Sequence, residues 1–277
     1  MTAFTLNLST TANVDDSIVQ AYAKNVLLTA GQAYILEPLV QTKFEVGAKS
    51  IQFPKYSLLG LADTPLTETD DPASEALVDT KIVLTPKEYG KAVTKTNLAS
   101  LQTGGLIDLA ASTLVGKNMG QTRDKLIVNA LLGSTNTTGT GTFSGAALDG
   151  QYSKLATKSI MPAADDLYVA VMSEHNVAIL RNESGFIDVQ KYGDSTAVLK
   201  NEIGTYKGHR IVRHQFVPDN KVISVGWNAL GCGISQAPGM VLTGPFDKLA
   251  RFVNVGWYGV FDYDLIDVDA IEVFTVA

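Results

Sequence analysis

Cysteine is almost missing from this chain: Cys232, in the apolar stretch GWNALGCGI, is the only one in 277 residues. A single thiol cannot close an internal disulfide, which argues against the cross-braced scaffold of a small secreted domain. Charge is scarce as well. Only 18% of the residues are charged, 22 basic against 28 acidic, for a net charge of −6. That balance argues against a broadly basic face for gripping nucleic acid, and it leaves neutral polar surface of the kind that assemblies bury. No run approaches the ~20 apolar residues of a membrane-spanning helix. The opening MTAFTLNLSTTAN has neither the basic leader nor the apolar core of a signal peptide. Synthesis in a reducing cytoplasm is the expectation.

Catalytic fingerprints are missing too. The glycines between Gly133 and Gly145 follow a helix and lack the Lys-Ser/Thr of a phosphate-binding loop. There is no G-x-S-x-G nucleophile elbow, and Cys232 has no histidine near it in sequence. Of the three histidines, His175 stands apart. His209 and His214 have opposite parity on a strand, which puts them on different faces, predicts surface positions and gives poor geometry for one metal. The carboxylates Asp262, Asp264, Asp267, Asp269 and Glu272 lack the central glycine of a calcium loop. Their alternation with Tyr263, Leu265, Val268 and Ile271 predicts a strand with a solvated acidic face and a register shift near Leu265-Ile266. No catalytic residue, metal or cofactor is expected.

The sequence does carry a strong organising element. GLIDLAASTLVGKNMGQTRDKLIVNALL, from Gly105 to Leu132, reads as one uninterrupted helix stopped by Gly133, about 40 Å long at ~1.5 Å per residue. Ala111, Val115, Met119, Thr122, Leu126 and Ala130 form its predicted apolar stripe, with Lys117, Asn118, Gln121 and Asp124 pointing elsewhere. Before it, residues 1–13 read as extended. Asn13 caps a helix with Asp15 and Asp16 in its first turn and Ile18, Tyr22, Val26 and Ala30 on its stripe. Pro38 limits further helix. Lys49 to Tyr56, with an edge-type Pro54, predicts a strand, and Leu77 to Thr96 its return, with Lys81, Lys87, Lys91 and Lys95. The acidic stretch between them carries Asp63, Glu68, Asp70, Asp71 and Glu75. A two-stranded arm is marginal alone in water, so its missing contacts must come from elsewhere in the chain or from another subunit. An acidic tip lying on another copy's basic strand suits the charges; a solvated loop beside a solvated strand suits them equally. After the helix, Gly133 to Gly150 is low-complexity and predicts a flexible loop. Leu167 to Met172 predicts a buried strand, Ser173 the cap of a following helix, and residues 203–217 a strand, a glycine-assisted turn and another strand.

The order of these elements resembles the major capsid proteins of tailed bacteriophages, the Hong Kong 97-type fold, and is most similar to the coat family of short-tailed phages of the N-four kind. YILEPLVQTKFEVGAKSIQFPKY resembles that family's entry into its extended loop. DLYVAVMSEHNVAILRNE resembles the strand and helix of its axial domain. The most specific stretch is KYGDSTAVLKNEIGTYKGHRIV, Lys191 to Val212, with Gly204 and Gly208 flanking a turn. The resemblance implies an α+β fold in five parts: an N-terminal arm and helix (1–45), an extended E-loop hairpin (46–98), a peripheral P-domain with the spine helix (99–150), an axial A-domain (151–250) and return strands to the P-domain (251–277). It implies a protein that self-assembles as hexamers and pentamers into an icosahedral head shell around double-stranded DNA, in a virion made in a bacterial host's cytoplasm. Its inter-subunit contacts would include the hairpin residues Asp63, Glu68, Asp70, Asp71 and Glu75 and the return-strand residues Lys81, Lys87 and Lys91. The partners implied are further copies of itself, a separate scaffolding protein, a portal and, where one exists, a decoration protein, with no membrane and no sequence-specific grip on DNA. Lys55 and Lys81 are available on the hairpin, but no motif singles out either for a covalent cross-link. An encapsulin-type compartment shares the fold class, and a β-rich hydrolase with a spatially assembled site is the reading from another class. A tail or adhesin protein is disfavoured by the long internal helix.

Overall fold

The structure, a computed structural model, describes residues 24–31, 34–57, 59–61, 63, 65, 74–103, 106–163, 165–183, 187–188, 202–244, 249 and 251–277. The expected cap at Asn13, the stripe positions Ile18 and Tyr22, and residues 191–201 lie outside them, as do Glu68, Asp70 and Asp71.

The long helix forms as its sequence requires. Helix α3 (Leu106–Leu132) runs uninterrupted, and no proline or β-branched run breaks its 27 residues. Its buried face differs from the expected stripe in the second half. Ala111, Val115 and Met119 are buried, but the stripe then continues through Arg123, Ile127 and Leu131, leaving Thr122, Leu126 and Ala130 half-buried on its flank. Asp124, expected to point away, is buried as well. Polar side chains replaced apolar ones on the inner face, so hydrophobicity alone drew the line one residue off.

Helix α1 (24–31) lies along α3, with Val26 and Ala30 fully buried. The two backbones approach at Gly116, where an added Cβ would sit 2.5 Å from the Val26 carbonyl oxygen and 3.0 Å from Thr29 Cβ. The obstacle is backbone and cannot swing aside, so Gly116→Ala is expected to cost about 2 kcal/mol of stability by overpacking. Urea denaturation measures it, and an unchanged midpoint would show that α1 docks loosely.

Beyond a 3-10 turn (Glu37–Leu39), strand β1 (Val40–Phe44) enters a four-stranded sheet of order β1-β11-β12-β4, built with β4 (Lys87–Thr96), β11 (Leu230–Thr243) and β12 (Phe252–Leu265). Strand β1 runs parallel to β11, and the other pairs are antiparallel. Helix α3 packs on this sheet, and Trp257 of β12 donates its indole N–H to Asn118 Oδ1 at 3.0 Å. Short α2 (Asn97–Gln102) connects β4 towards α3, capped by Thr96, whose hydroxyl accepts from the Ala99 amide.

A seven-stranded sheet has the order β5-β13-β10-β6-β9-β8-β7, from β5 (Thr137–Gly141), β6 (Tyr168–Met172), β7 (Ile187–Asp188), β8 (Glu202–Tyr206), β9 (His209–Arg213), β10 (Lys221–Val225) and β13 (Ile271–Val276). Central β6, sequence YVAVM, is buried on both faces. Val169 and Val171 join the core shared with α3, while Ala170 and Met172 pack under α4 (Gly145–Thr157) and α5 (Glu174–Arg181). This is why it reads as continuous apolar sequence without alternation. Ser173 caps α5 as expected, accepting from the Asn176 amide. The turn from β8 to β9 holds Lys207 and Gly208, both at positive φ (49° and 72°), the pattern of a tight type I′ hairpin.

Three expectations are corrected here. The low-complexity stretch from Gly133 to Gly150 is not a loop throughout, because it supplies edge strand β5 and the first half of α4. His209 and His214 are not on the surface: both are buried, one opening β9 and the other just beyond its end, while His175 is exposed. The C-terminal carboxylates do not share one solvated face. The chain leaves the first sheet at Leu265, makes a 3-10 turn (Val268–Ala270) and enters the second as β13, where Glu272 is buried and receives Lys158 Nζ at 2.9 Å.

Candidate assembly surfaces

Among the described residues the hairpin is anchored at its base. Strands β2 (Ile51–Tyr56) and β3 (Asp79–Leu84) form a separate two-stranded antiparallel sheet. Ile51, Phe53 and Leu84 are buried with Ile266 at its base, against a face of β11 made bare by Gly231 and Gly233. A Cβ on Gly233 would meet Ile51 at 3.2 Å. Lys55 Nζ pairs with Asp267 at 2.8 Å beside this base. The burial ends within a few residues. Tyr56, Leu59, Leu61, Leu77 and Val78 are all more than half exposed, Leu61 by 92%, which is far more apolar surface than a two-stranded arm leaves to water without a partner.

The return run expected from Leu77 to Thr96 is not one strand. It breaks at Thr85-Pro86, so β3 stays with the hairpin and β4 joins the four-stranded sheet. The lysines part accordingly. Lys81 lies on β3 opposite Pro54, whereas Lys87 and Lys91 lie on β4, opposite Phe261 and Trp257 of β12. Lys87 reaches Asp262 at 3.3 Å with its side chain still 67% exposed, and the Asp262 carboxylate raises its pKa above the ordinary lysine value. Lys95, the inner member of the series, pairs with Asp108 at the start of α3 at 2.6 Å. In the acidic stretch, Asp63 and Glu75 are exposed, and Glu75 accepts the Gly60 amide at 2.8 Å across the two limbs.

A second apolar surface escaped the sequence reading. Leu98, Leu101, Leu106, Leu109 and Leu114, from α2 and the first turns of α3, are exposed by 59–80%. The signal was present in LIDLAASTL, where leucines fall off the single stripe that a helix of one domain needs.

Behind these surfaces a buried polar clamp ties the chain entry to the spine. Arg123 of α3 donates to Glu37 and, at 2.7 Å, to the Tyr263 hydroxyl, with its guanidinium 4.7 Å from the Tyr34 ring centroid. Burial raises the Glu37 carboxyl above the usual range, and Arg123 and Tyr263 partly offset that shift. One residue on, Asp124 accepts the amides of Ile35 (3.0 Å) and Leu36 (3.3 Å) and faces His214 Nε2 at 3.3 Å. Together these bonds set the turn from which β1 starts. Neighbouring Cys232 is buried, and its thiol is pushed up to about 11 by burial, the state of an inert structural cysteine. Among the described residues no group of three or more His, Cys, Asp or Glu is arranged to hold a metal, and no helix is long and apolar enough to cross a membrane.

The arrangement of an anchored hairpin, a spine helix on a four-stranded sheet and a second α/β layer matches solved capsids over nearly the whole chain. The capsid of Ralstonia phage GP4 superposes with a TM-score of 0.70 at 14% identity, covering 86% of each chain. This is the Hong Kong 97-like capsid fold. The capsid of cyanophage P-SCSP1u has the same fold, with a TM-score of 0.65 at 13% identity and 88% of each chain covered. So does a virus-like particle from Pyrococcus furiosus, at 0.63 and 13% identity, covering 92% of this chain and 98% of that one. No protein-family model matches the chain, and no curated protein matches it in sequence. At these identities the likeness is one of Hong Kong 97-like architecture, the α+β class that the order of elements implied.

Proposed function

We propose that the chain is a major capsid protein of a tailed phage, nearest the coats of the N-four kind. Its copies assemble as hexamers and pentamers into an icosahedral shell that encloses double-stranded DNA. The observation that carries this reading is the pair of exposed apolar surfaces among the described residues, the outer hairpin and the α2–α3 leucines, in a fold whose solved examples include phage capsids. Two different patches that fit each other make a head-to-tail contact, which closes into rings and shells. The acidic residues Asp63, Glu68, Asp70, Asp71 and Glu75 of one copy lie near Lys81, Lys87 and Lys91 of the next and orient that contact. Many modest contacts then hold the shell by multivalency, and the net charge of −6 suits DNA that is confined, not gripped. A scaffolding protein, a portal and any decoration protein are separate partners. The virion is the mature location, after synthesis in the host cytoplasm.

The likeness to the Pyrococcus particle favours a second reading, an encapsulin-type compartment with protein cargo. Light scattering on material from the native source, with the 260/280 nm ratio read on the same peak, separates the two. Megadalton particles rich in nucleic acid are expected. Protein-filled or empty particles would favour the compartment, and a peak near 29.5 kDa would count against both.

A further inference from the structure

Helices α1 and α3 run side by side in the same direction at a nearly fixed offset in sequence. Asn25 Nδ2 donates to the Ser112 hydroxyl at 2.7 Å, 87 residues on. One turn later Thr29 packs at Gly116. Just past α1, the Ile35 amide meets Asp124, 89 residues on. Both helices rise ~1.5 Å per residue, so the offset carries backwards as well as forwards. On α3 the line of contact runs through Ser112, Thr113 and Gly116. One turn before Thr113 the same line holds Leu109, and a turn before that Leu106. These leucines are 59% and 71% exposed. The seam therefore continues, with leucines on its α3 side, past the point where the described part of α1 begins. Lys24 is already helical there, and no glycine or proline stands between Val14 and Ala30.

We propose that α1 extends back to Val14 and that this extension, residues 14–23, covers Leu106 and Leu109 of the same chain. At the offset of 87 set by Asn25 and Ser112, Tyr22 falls opposite Leu109 and Val19 opposite Leu106, with Ile18 between them. Ile18, Val19 and Tyr22 share the helical stripe of buried Val26. Asp15, the next position on that stripe, falls beyond Leu106, where α3 starts. The polar positions thus begin where the seam ends, and Asn13 with Asp15 and Asp16 supplies the capping pattern. The same chain is the occupant because Tyr22 stands only ~4.5 Å of helix rise from Asn25, too little chain to reach another copy. Leu114 lies about 140° round α3 from Leu109, at ~100° per residue, and Leu98 and Leu101 belong to α2. These three leucines stay open to the contact between copies. The inference goes beyond the shell reading and does not depend on it.

A Tyr22→Cys/Leu109→Cys variant of the full-length chain tests the contact. Mild oxidation is expected to give an intrachain link, read as a monomer that migrates faster on a denaturing gel without reductant. Cys232 is buried and stays out of the exchange. Tyr22→Cys/Leu114→Cys, with its second thiol on the far side of α3, is expected to stay unlinked. Interchain dimers, no link, or equal linking at Leu114 each overturn the proposal. A double-mutant cycle reports without engineered thiols. Val19→Ala and Leu106→Ala are each expected to lower the urea midpoint, and the double variant to lose less than the sum of the two. Additive losses, or none, overturn the packing of Val19 on Leu106. Because the contact lies within one chain, either failure leaves the shell reading standing.

Discussion

Arg123→Ala is expected to lower the stability of the folded chain by about 3 kcal/mol, because it strips a half-buried Glu37 of its counter-charge and leaves only the Tyr263 hydroxyl, at 3.2 Å, donating to it. Three losses coincide. Glu37 loses its counter-charge, the Tyr263 hydroxyl loses the Arg123 Nε–H at 2.7 Å, and the guanidinium leaves the Tyr34 ring 4.7 Å away. The cost depends on pH, with a sign that follows from the carboxyl. Burial raises the Glu37 pKa, and the Arg123 guanidinium opposes the rise most strongly. Without Arg123 the folded-state pKa climbs further, so the variant's stability is best preserved at acid pH and is lost as pH rises through that value. Urea midpoints at several pH values measure both effects. Glu37→Gln combined with Arg123→Met is expected to recover much of the loss, since neither partner is then left charged in the core. A pH-independent loss of less than 1 kcal/mol in Arg123→Ala would mean that water solvates Glu37 in solution.

His209 carries the second large effect, a loss of stability in mild acid. The ring is buried between Tyr152 and Tyr168, with centroids 6.1 and 5.9 Å away. It holds the Lys207 carbonyl through Nδ1 at 3.0 Å, and among the described residues Nε2 has no hydrogen-bond partner. Burial pushes its pKa down to about 4, while the Lys207 carbonyl and Asp149 pull the other way. The folded chain therefore binds fewer protons than the unfolded one between the ordinary histidine value and about 4. Stability is complete above pH 6.5 and falls as pH drops through that window, by up to roughly 3 kcal/mol at ~1.4 kcal/mol per pKa unit. His209→Phe keeps a ring in the same aromatic site and cannot titrate. Its urea midpoint is expected to stay flatter between pH 7 and 4 than the wild-type midpoint. Parallel pH profiles for the two chains would rule His209 out as the acid-sensitive group. A shell built from such chains would meet this weakness inside each subunit, before any contact between subunits is reached.

Both predictions rest on residues that the sequence did not mark as important, and the reasons are physical. Arg123 stands one position from an expected stripe residue, but a charged side chain on an inner face is visible only once its partners, 86 and 140 residues away, are in place. His209 was assigned to the surface because polarity and strand parity are local properties. What covers β9 is not local, since α4 and its Tyr152 come from a stretch whose composition suggested a loop.

From the amino acids alone came the elements with strong periodicity or local chemistry: the spine helix to within a residue, the buried strand β6, the Ser173 cap, a glycine-assisted turn between two strands within 203–217 (though Gly204 lies inside β8 and not beside the turn), and through their order the Hong Kong 97-like fold. These depend on interactions within a few turns or on apolar runs too regular to be accidental. Tertiary structure alone decided which strand joins which sheet, the break of the return run at Thr85-Pro86, and the transfer of the C-terminus from one sheet to the other. It also decided which charges are buried, and which leucines are left exposed. Strand pairing and burial are set by groups distant in sequence, and a polar residue carries no local mark of the partner that will satisfy it.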